Sequence, residues 1–243
     1  MRAVILLSGG LDSATVLAIA KQEGRECLAL SIVYGQRHGI ELEAARRVAE
    51  SLGAIEQREV QLDLAALAGS ALTGAGAVPK GRAEGEIASG GVPATYVPAR
   101  NTVLLALALA WAETIGARDL FLGVNAIDYS GYPDCRAEFL RAFEGLAALA
   151  TAAGTERGER FRVHAPLVAM TKKEIVLRAA ELGVDLGLTH SCYDPLQRGG
   201  RWLACGECDA CRLRLKGFRE AGRADPIAYV DSPGIAIRRG SSG

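Results

Sequence analysis

The chain alternates short apolar runs with longer stretches in which apolar residues recur at helical spacing. Four apolar runs predict buried strands, at residues 3–7, 27–34, 55–60 and 120–124. Three stretches predict helices at residues 13–22, 40–52 and 102–115, each closed by a glycine just beyond its apolar face. This alternation indicates an α/β fold, in which a parallel twisted sheet carries helices on both faces.

The C-terminal third begins with a further predicted helix, after which the alternation of apolar runs and helical spacing stops. Thr171 and Glu174 have the spacing of a capping box, so a helix is predicted at residues 172–182. A cysteine-bearing segment, a basic helix near residues 212–221 and a short apolar run follow. We therefore predict a main domain at residues 1–185, a small segment at 186–230 and a tail at 231–243.

Neither a membrane span nor a targeting segment is predicted. The most apolar stretch, residues 103–112, is bounded by Arg100 and Glu113 and is well short of the roughly 20 residues that a span needs. The opening apolar run meets two glycines at once and lacks a cleavage pattern. We therefore expect a cytoplasmic protein without a membrane partner, in which thiols stay reduced.

The balance of positive and negative residues bears on whether the protein binds nucleic acid or a small molecule. Lys plus Arg and Asp plus Glu both total 28, so the chain has no net positive field with which to hold a long nucleic acid. A local basic face would still permit such binding. The balance nevertheless favours a small-molecule substrate and no nucleic-acid partner.

A glycine-rich loop connects the first predicted strand to the first predicted helix. It comprises Leu7, Ser8, Gly9, Gly10, Leu11, Asp12 and Ser13. Backbone N–H groups and the positive helix end converge there, and the glycines let a phosphate approach the backbone. No lysine follows as a Walker loop requires. The pattern predicts an anion site, and the alternative is an ordinary glycine-rich turn with Ser13 as an N-cap.

Four of the six cysteines have the spacing of metal ligands. They are Cys192, Cys205, Cys208 and Cys211. Each C-x2-C step lets a tight turn bring two thiolates to one ion, and four soft ligands predict a closed tetrahedral zinc site. An iron–sulfur cluster is the alternative. The metal would tie this small C-terminal zinc-binding segment to the main domain, whereas Cys27 is predicted to belong to the core.

One long stretch fits no regular element. Residues 67–93 are rich in Gly and Ala and carry a charged patch at residues 80–86. Loops of this length are uncommon within compact domains and are often active-site lids. We therefore predict a lid, with a disordered insertion as the alternative.

Several motifs together resemble a known family of enzymes. The S-G-G-x-D-S loop resembles the pyrophosphate loop of the ATP pyrophosphatase superfamily, which has an adenine nucleotide alpha hydrolase-like fold. Within that superfamily, the chain resembles the 7-cyano-7-deazaguanine synthase family through Y-G-Q-R-H at 34–38, V-P-A-R-N-T at 97–102, D-Y-S-G-Y-P-D-C-R at 128–136 and the four cysteines. The resemblance spans nearly the whole chain.

This resemblance implies an ATP-dependent carbon–nitrogen ligase of queuosine and deazapurine biosynthesis. Members of the superfamily attach AMP to an oxygen, and a nucleophile then displaces it. The implied reaction converts 7-carboxy-7-deazaguanine and ammonia into a nitrile. ATP, magnesium and zinc are the implied cofactors, and a homodimer is the implied assembly; Asp12 is expected either to position magnesium or to cap the helix.

The expected catalytic residues are Lys173 and Arg100. Positive charge at the start of a helix is unfavourable unless an anion binds nearby, so we expect Lys173 to contact phosphate. The alternative is that Lys172 and Lys173 are simply solvated. The resemblance directs Arg100 to substrate or nucleotide, and the guanidinium of Arg37 is suited to clamp phosphate with two hydrogen bonds.

A guanine-like substrate needs hydrogen-bond acceptors and an aromatic or apolar face. The residues that follow the strand at 120–124 lie at the carboxyl end of a parallel sheet, where ligands of such folds bind. We therefore expect the substrate-binding residues to be Asn125, Asp128, Tyr129, Tyr132 and Asp134. For Asp134 the alternative is a polar turn whose carboxylate bonds only its own backbone.

Two other functions fit parts of the pattern. An enzyme with the same loop could adenylate a tRNA base or a different acid, but the balanced charge argues against tRNA. A zinc-ribbon binding module with a degenerate nucleotide domain would use residues 205–219 to contact nucleic acid. The intact phosphate loop argues against that module.

Overall fold

The computed structural model describes residues 1–34, 39–63, 70–73, 77–82, 86–87, 92, 95–125 and 132–230. Within them, the central parallel sheet consists of β1 (Arg2–Leu6), β2 (Glu26–Val33), β3 (Glu56–Gln61), β4 (Asp119–Phe121) and β5 (Arg162–His164). Their order across the sheet is β3-β2-β1-β4-β5. The four predicted strands are present, and β5 is an addition whose three residues carry no periodic signal.

The described helices cover both faces of this sheet. They are α1 (Leu11–Gln22), α2 (Ile40–Ser51), α3 (Arg100–Ile115), α4 (Ala137–Ala150), α5 (Ala152–Arg157), α6 (Lys172–Glu181) and α7 (Asp209–Glu220). Two 3-10 helices, Pro133–Cys135 and Leu186–Leu188, lie between them. The predicted α/β class is confirmed, and α4 and α5 are helices that the pattern did not predict. No helix in the described ranges has the length and apolarity to cross a membrane.

Strand β1 is uninterruptedly apolar because it is buried on both sides. Ala3 and Ile5 belong to one core cluster, and Val4 and Leu6 belong to the other. A parallel strand with helices above and below has no solvent face that would require polar residues. The continuous apolar run at the start of the sequence therefore reflects its central place in the sheet.

The C-terminal segment shares the core of the sheet. Leu186 and Phe218 lie in the same apolar cluster as residues of β1 and α1. A short hairpin, β6 (Leu196–Arg198) with β7 (Arg201–Leu203), precedes α7. The predicted domain boundary at residue 186 stays a prediction.

The start of α6 is fixed locally by its cap and globally by α7. The capping box is confirmed: Thr171 N donates to Glu174 Oε2 at 2.7 Å, and Glu174 N donates to Thr171 Oγ1 at 3.3 Å. Gly217 of α7 packs directly on Lys172, where an added Cβ would lie 2.9 Å from Lys172 Cβ and 3.0 Å from its carbonyl. The glycine therefore allows α7 to approach the first residue of α6.

Gly217→Ala is expected to lower the free energy of unfolding by about 1–3 kcal/mol, because the new methyl group has no room beside Lys172. Gly145→Ala in α4 is the matched control, since an added Cβ there meets nothing within 4 Å. That substitution is expected to raise the free energy of unfolding by up to about 1 kcal/mol through helix propensity. Urea unfolding followed by circular dichroism measures both; equal effects would contradict the close contact of α6 and α7.

Candidate active site and metal centre

The predicted anion loop lies at the carboxyl end of β1, between β1 and α1. Gly9 has a φ of +83°, and a Cβ at this position would lie 2.5 Å from Ala45 N and 2.5 Å from Glu41 O in α2. Only glycine meets both demands, the left-handed backbone and the close approach of α2. The loop is therefore shaped by the packing of α2 as well as by its own sequence.

Serine hydroxyls support the loop from inside. Ser8 N donates to Ser13 Oγ at 3.2 Å, and Ser13 Oγ donates to Gly10 O at 3.1 Å. Gly10 is the N-cap of α1 and has no side-chain cap, so Ser13 lies inside the first turn. The alternative in which Ser13 is the N-cap of this helix is wrong.

Asp12, in the first turn of α1, receives two side chains from other elements. Its Oδ2 accepts a hydrogen bond from Asn125 Nδ2 at 3.0 Å and forms an ion pair with Lys172 Nζ. Its Oδ1 is buried and has no hydrogen-bond partner among the described residues. Asn125 thus lies at the phosphate loop, and its role in binding substrate stays a prediction.

The two lysines at the start of α6 have different environments. Lys172 is partly buried and reaches Asp12, whereas Lys173 is exposed. Consecutive residues of a helix point about 100° apart, so only one of them can face the loop. The structure brings Lys172 to the loop, and the contact of Lys173 with phosphate stays a prediction.

A cavity of about 230 Å³ opens beside the loop, at the carboxyl ends of the central strands. Arg100 and Tyr34 line it, with Arg100 Cζ 5.9 Å from the ring centroid of Tyr34. Burial raises the pKa of Tyr34, so its hydroxyl stays neutral. Burial opposes the charge of Arg100, but its pKa still lies above the ordinary value, so the guanidinium is charged. The cavity therefore places the positive charge of Arg100 beside the glycine-rich loop, and the carboxylates of Asp12 and Glu41 also belong to its lining.

The backbone before Arg100 is held in an uncommon conformation. Ala99 has a φ of 55°, and its N–H donates to the Tyr96 hydroxyl at 3.2 Å. Asp134 Oδ2 accepts a hydrogen bond from Asn101 N at 2.8 Å in the first turn of α3. Asp134 therefore bonds the backbone of another segment and not only its own, and a role in binding substrate stays a prediction.

The remaining predicted substrate residues are only partly described. Tyr132 shares a hydrogen bond with Thr95 Oγ1 at 3.1 Å, and its ring centroid lies 5.9 Å from that of Tyr96. Arg37, Asp128 and Tyr129 lie outside the described residues. Tyr132 O accepts a hydrogen bond from Cys135 N at 3.1 Å, and Cys135 lines the cavity, whereas the two tyrosine rings are not part of its lining.

The four predicted metal ligands converge in one buried cluster. Their Sγ atoms all lie within 4.8 Å of one another, with Cys205 Sγ 3.9 Å from Cys211 Sγ and Cys208 Sγ 4.0 Å from Cys192 Sγ. Tetrahedral zinc with Zn–S bonds of about 2.3 Å requires sulfurs about 3.8 Å apart. The donor set and its spacing therefore fit zinc.

Backbone amides prepare these sulfurs for negative charge. Cys205 N donates to Cys192 Sγ at 3.2 Å, and Cys208 N donates to Cys205 Sγ at 3.3 Å. Hydrogen bonds among the four thiols lower the pKa of Cys205 and Cys208 and raise the pKa of Cys192 and Cys211, so the cluster favours two thiolates before any metal binds. Ionised sulfurs within a closed, buried shell are what a structural divalent cation requires.

Part of the long loop at residues 67–93 packs on this cluster. Val78 belongs to the same apolar group as the cysteines. Lys80 Nζ lies 2.6 Å from Asp194 Oδ2, and Arg82 Nη1 lies 2.9 Å from Asp209 Oδ2. These residues are anchored to the C-terminal segment, and the role of the whole loop as a lid stays a prediction.

Comparison with known proteins identifies the family. The family model described as "Queuosine biosynthesis protein QueC" matches residues 2–222. The chain belongs to this family. Relatives named 7-cyano-7-deazaguanine synthase include those of Geobacter metallireducens, 56% identical over 98% of this chain and 97% of the relative, and Geobacter sulfurreducens, 58% identical over 94% and 93%. The relative of Myxococcus xanthus is 56% identical over 95% of this chain and 98% of its own length.

These relatives confirm the resemblance that the motifs indicated and make the chain a member of a family of synthases. Among solved structures, NMN synthetase from Francisella tularensis is similar over 92% of this chain and 77% of its own, at 16% identity and a TM-score of 0.47. A similarity this low adds nothing about function. The family membership rests on the long, well-covered sequence relatives.

Sequence reasoning missed two contacts at the phosphate loop. Lys172 reaches Asp12, and Ser191 accepts a hydrogen bond from Leu11 N at 3.3 Å. Ser191 carries no motif of its own and lies 180 positions from Leu11. Its position directly before the predicted metal ligand Cys192 was the only indication in the sequence that Ser191 lies at a fixed place in the fold.

Cys208→Ser is expected to abolish the binding of one equivalent of zinc per chain, because a hydroxyl is a poor replacement for a buried thiolate ligand. Cys27→Ser is the matched control: Cys27 is buried in β2 outside the cluster, and burial raises its pKa to about 11. Metal analysis of the purified variants measures the difference. Full zinc content in Cys208→Ser would rule out the four-sulfur site.

Proposed function

We propose that the protein is an ATP-dependent ligase that converts 7-carboxy-7-deazaguanine and ammonia into 7-cyano-7-deazaguanine. The main support is the glycine-rich loop, whose residues line the same cavity as Arg100. The names of the relatives add the identity of the product. A homodimer and a cytoplasmic location are part of the proposal and rest on the sequence analysis alone.

In the first half of the proposed reaction, the substrate carboxylate attacks the α-phosphorus of ATP. The bond between the α-phosphorus and the bridging oxygen breaks, pyrophosphate leaves, and an acyl adenylate forms. Ammonia then attacks the acyl carbon and loses a proton, and AMP departs with one carboxylate oxygen. The product of this half is the amide.

In the second half, the amide oxygen attacks the α-phosphorus of a second ATP and releases a second pyrophosphate. Loss of AMP together with the remaining N–H protons of the amide nitrogen then forms the nitrile. Both oxygens of the original acid therefore leave in AMP. Two ATP molecules are consumed for each nitrile.

The residues of this chain contribute positioning and charge. Amides of the loop would bind the departing pyrophosphate, and Arg100 would hold the anionic substrate or the α-phosphate in the same cavity. Magnesium would neutralise phosphate charge when bound with ATP, and Asp12 Oδ1, buried without a described partner, is an oxygen suited to it. Zinc would supply structure and no chemistry, because a four-sulfur site has no open position.

Incubation of the protein with the acid, ammonium, magnesium and ATP tests this proposal. Mass spectrometry should detect the nitrile and AMP, and acid labelled with ¹⁸O in its carboxylate should yield labelled AMP. Dependence of AMP release on added tRNA would favour the alternative substrate. Absence of both nitrile and AMP would reject the proposed function.

Lys172→Met is expected to lower kcat/KM for ATP at least about 100-fold, because a partly buried ion pair and a positive charge beside the loop are lost together. Lys173→Met is the matched comparison on the same turn of α6 and tests the role that the sequence predicted for Lys173. Steady-state kinetics on both variants, with circular dichroism to check folding, decide between them. A larger loss in Lys173→Met would reverse the assignment.

A further inference from the structure

Four consecutive residues connect the phosphate loop to the four-cysteine cluster. His190 N donates to Gly9 O at 2.9 Å, and Leu11 N donates to Ser191 Oγ at 3.3 Å. The next residue is the cluster ligand Cys192. We call residues 189–192 the strap. The strap holds the loop at two backbone positions and ends on the predicted metal.

The other end of the strap is held by Arg214. Arg214 Nη1 donates to Thr189 Oγ1 at 2.7 Å, and Nη2 donates to Leu186 O at 3.1 Å. The same guanidinium binds Asp225 with two hydrogen bonds, at 2.7 and 3.0 Å, and is only 2% exposed. A buried, fully paired guanidinium in this geometry is a rigid anchor.

Helix α7 joins the two anchors of the strap. It begins directly after Cys208 and carries both Cys211 and Arg214. The metal cluster therefore fixes the position of the helix that holds Thr189, and it holds Cys192 directly. Loosening of the cluster would therefore act on Cys192 directly and on Thr189 through α7, which Phe218 also ties to the core of the sheet.

The hydroxyl of Ser191 adds a polar group to the anion site. Leu11 N lies in the first turn of α1, where N–H groups have no partner within the helix. By accepting this N–H, Ser191 Oγ keeps its own proton available for a phosphate oxygen. Ser191 also lines the cavity, with its Oγ 3.5 Å from where a Cβ of Gly10 would lie.

We propose that Ser191 is a positioning residue of the phosphate site and that the metal cluster keeps it in place, so that metal occupancy sets the affinity for nucleotide. The proposal rests on the proposed use of ATP. It assigns the cluster a task in the reaction beyond the stability of the C-terminal segment.

The first test compares Ser191→Ala with Ser51→Ala, an exposed serine at the end of α2. Ser191→Ala is expected to raise the dissociation constant of a non-hydrolysable ATP analogue about 10-fold or more in calorimetry, since a hydrogen bond to a charged group is lost. Its zinc content and its KM for the acid should stay at the values of the wild type. Ser191→Thr, which keeps the hydroxyl, should restore most of the affinity. Unchanged affinity in Ser191→Ala would overturn the role of Ser191.

The second test measures hydrogen exchange of the amides at residues 8–13. Removal of zinc with a chelator should speed this exchange and weaken binding of the analogue while circular dichroism stays unchanged. If the protein unfolds on chelation, Thr189→Val provides a second route to the same test. This substitution removes the hydroxyl that accepts from Arg214 while the metal stays in place, and it should also speed exchange at residues 8–13. Exchange at these amides that neither treatment alters would overturn the coupling.

Neither the calorimetry nor the hydrogen exchange requires turnover. If the wild type binds the analogue but forms no nitrile, the proposed reaction is rejected. The binding and exchange results then still decide the roles of Ser191 and the cluster. A wild type that binds no nucleotide would reject both proposals.

Discussion

The turn at residues 7–10 connects β1 to α1 and has to keep one shape without the repeating hydrogen bonds of a helix or strand, so the surrounding structure has to supply its rigidity. Its own hydrogen bonds can satisfy few of its groups, so rigidity has to come from elsewhere. Here α2 packs against Gly9, the strap binds Gly9 O and Leu11 N, and serine hydroxyls support the turn from inside. The anion site is thus a product of three separate parts of the chain.

The C-terminal segment helps to hold the loop in this shape, in addition to stabilising itself. Its residues Leu186 and Phe218 extend the core of the sheet, and its helix α7 approaches α6 closely through Gly217. That approach positions Lys172, which pairs with Asp12 in the phosphate loop. Two routes therefore lead from the metal cluster to the loop, one through the strap and one through α7 and α6. Both use short contacts between buried or partly buried groups, which transmit displacement because packed cores deform little.

Features that depend on neighbouring residues were predictable. The central strands, α1, α2, α3 and the capping box at Thr171 follow from periodicity and from caps, which are local. The four cysteines were predictable because metal ligands at C-x2-C spacing need only one tight turn. β5 and α5 were missed because elements of three and six residues are too short to show a period. Helix α4 was missed although its 14 residues carry a clear amphipathic pattern. The roles of Arg37, Asp128 and Tyr129 stay predictions.

The sequence by itself determined the fold class, the family and the four cysteines that converge, since each depends on residue types at short spacing; phosphate binding by the loop and zinc in the cluster stay predictions. Tertiary structure alone decided which side chains meet at the loop. Lys172 and not Lys173 faces Asp12, Asn125 bonds Asp12, and Asp134 bonds the first turn of α3. These outcomes depend on the rotational phase of α6 and on contacts between residues as much as 160 positions apart. Local pattern carries no information on such contacts, because they are fixed only when the helices pack against the sheet.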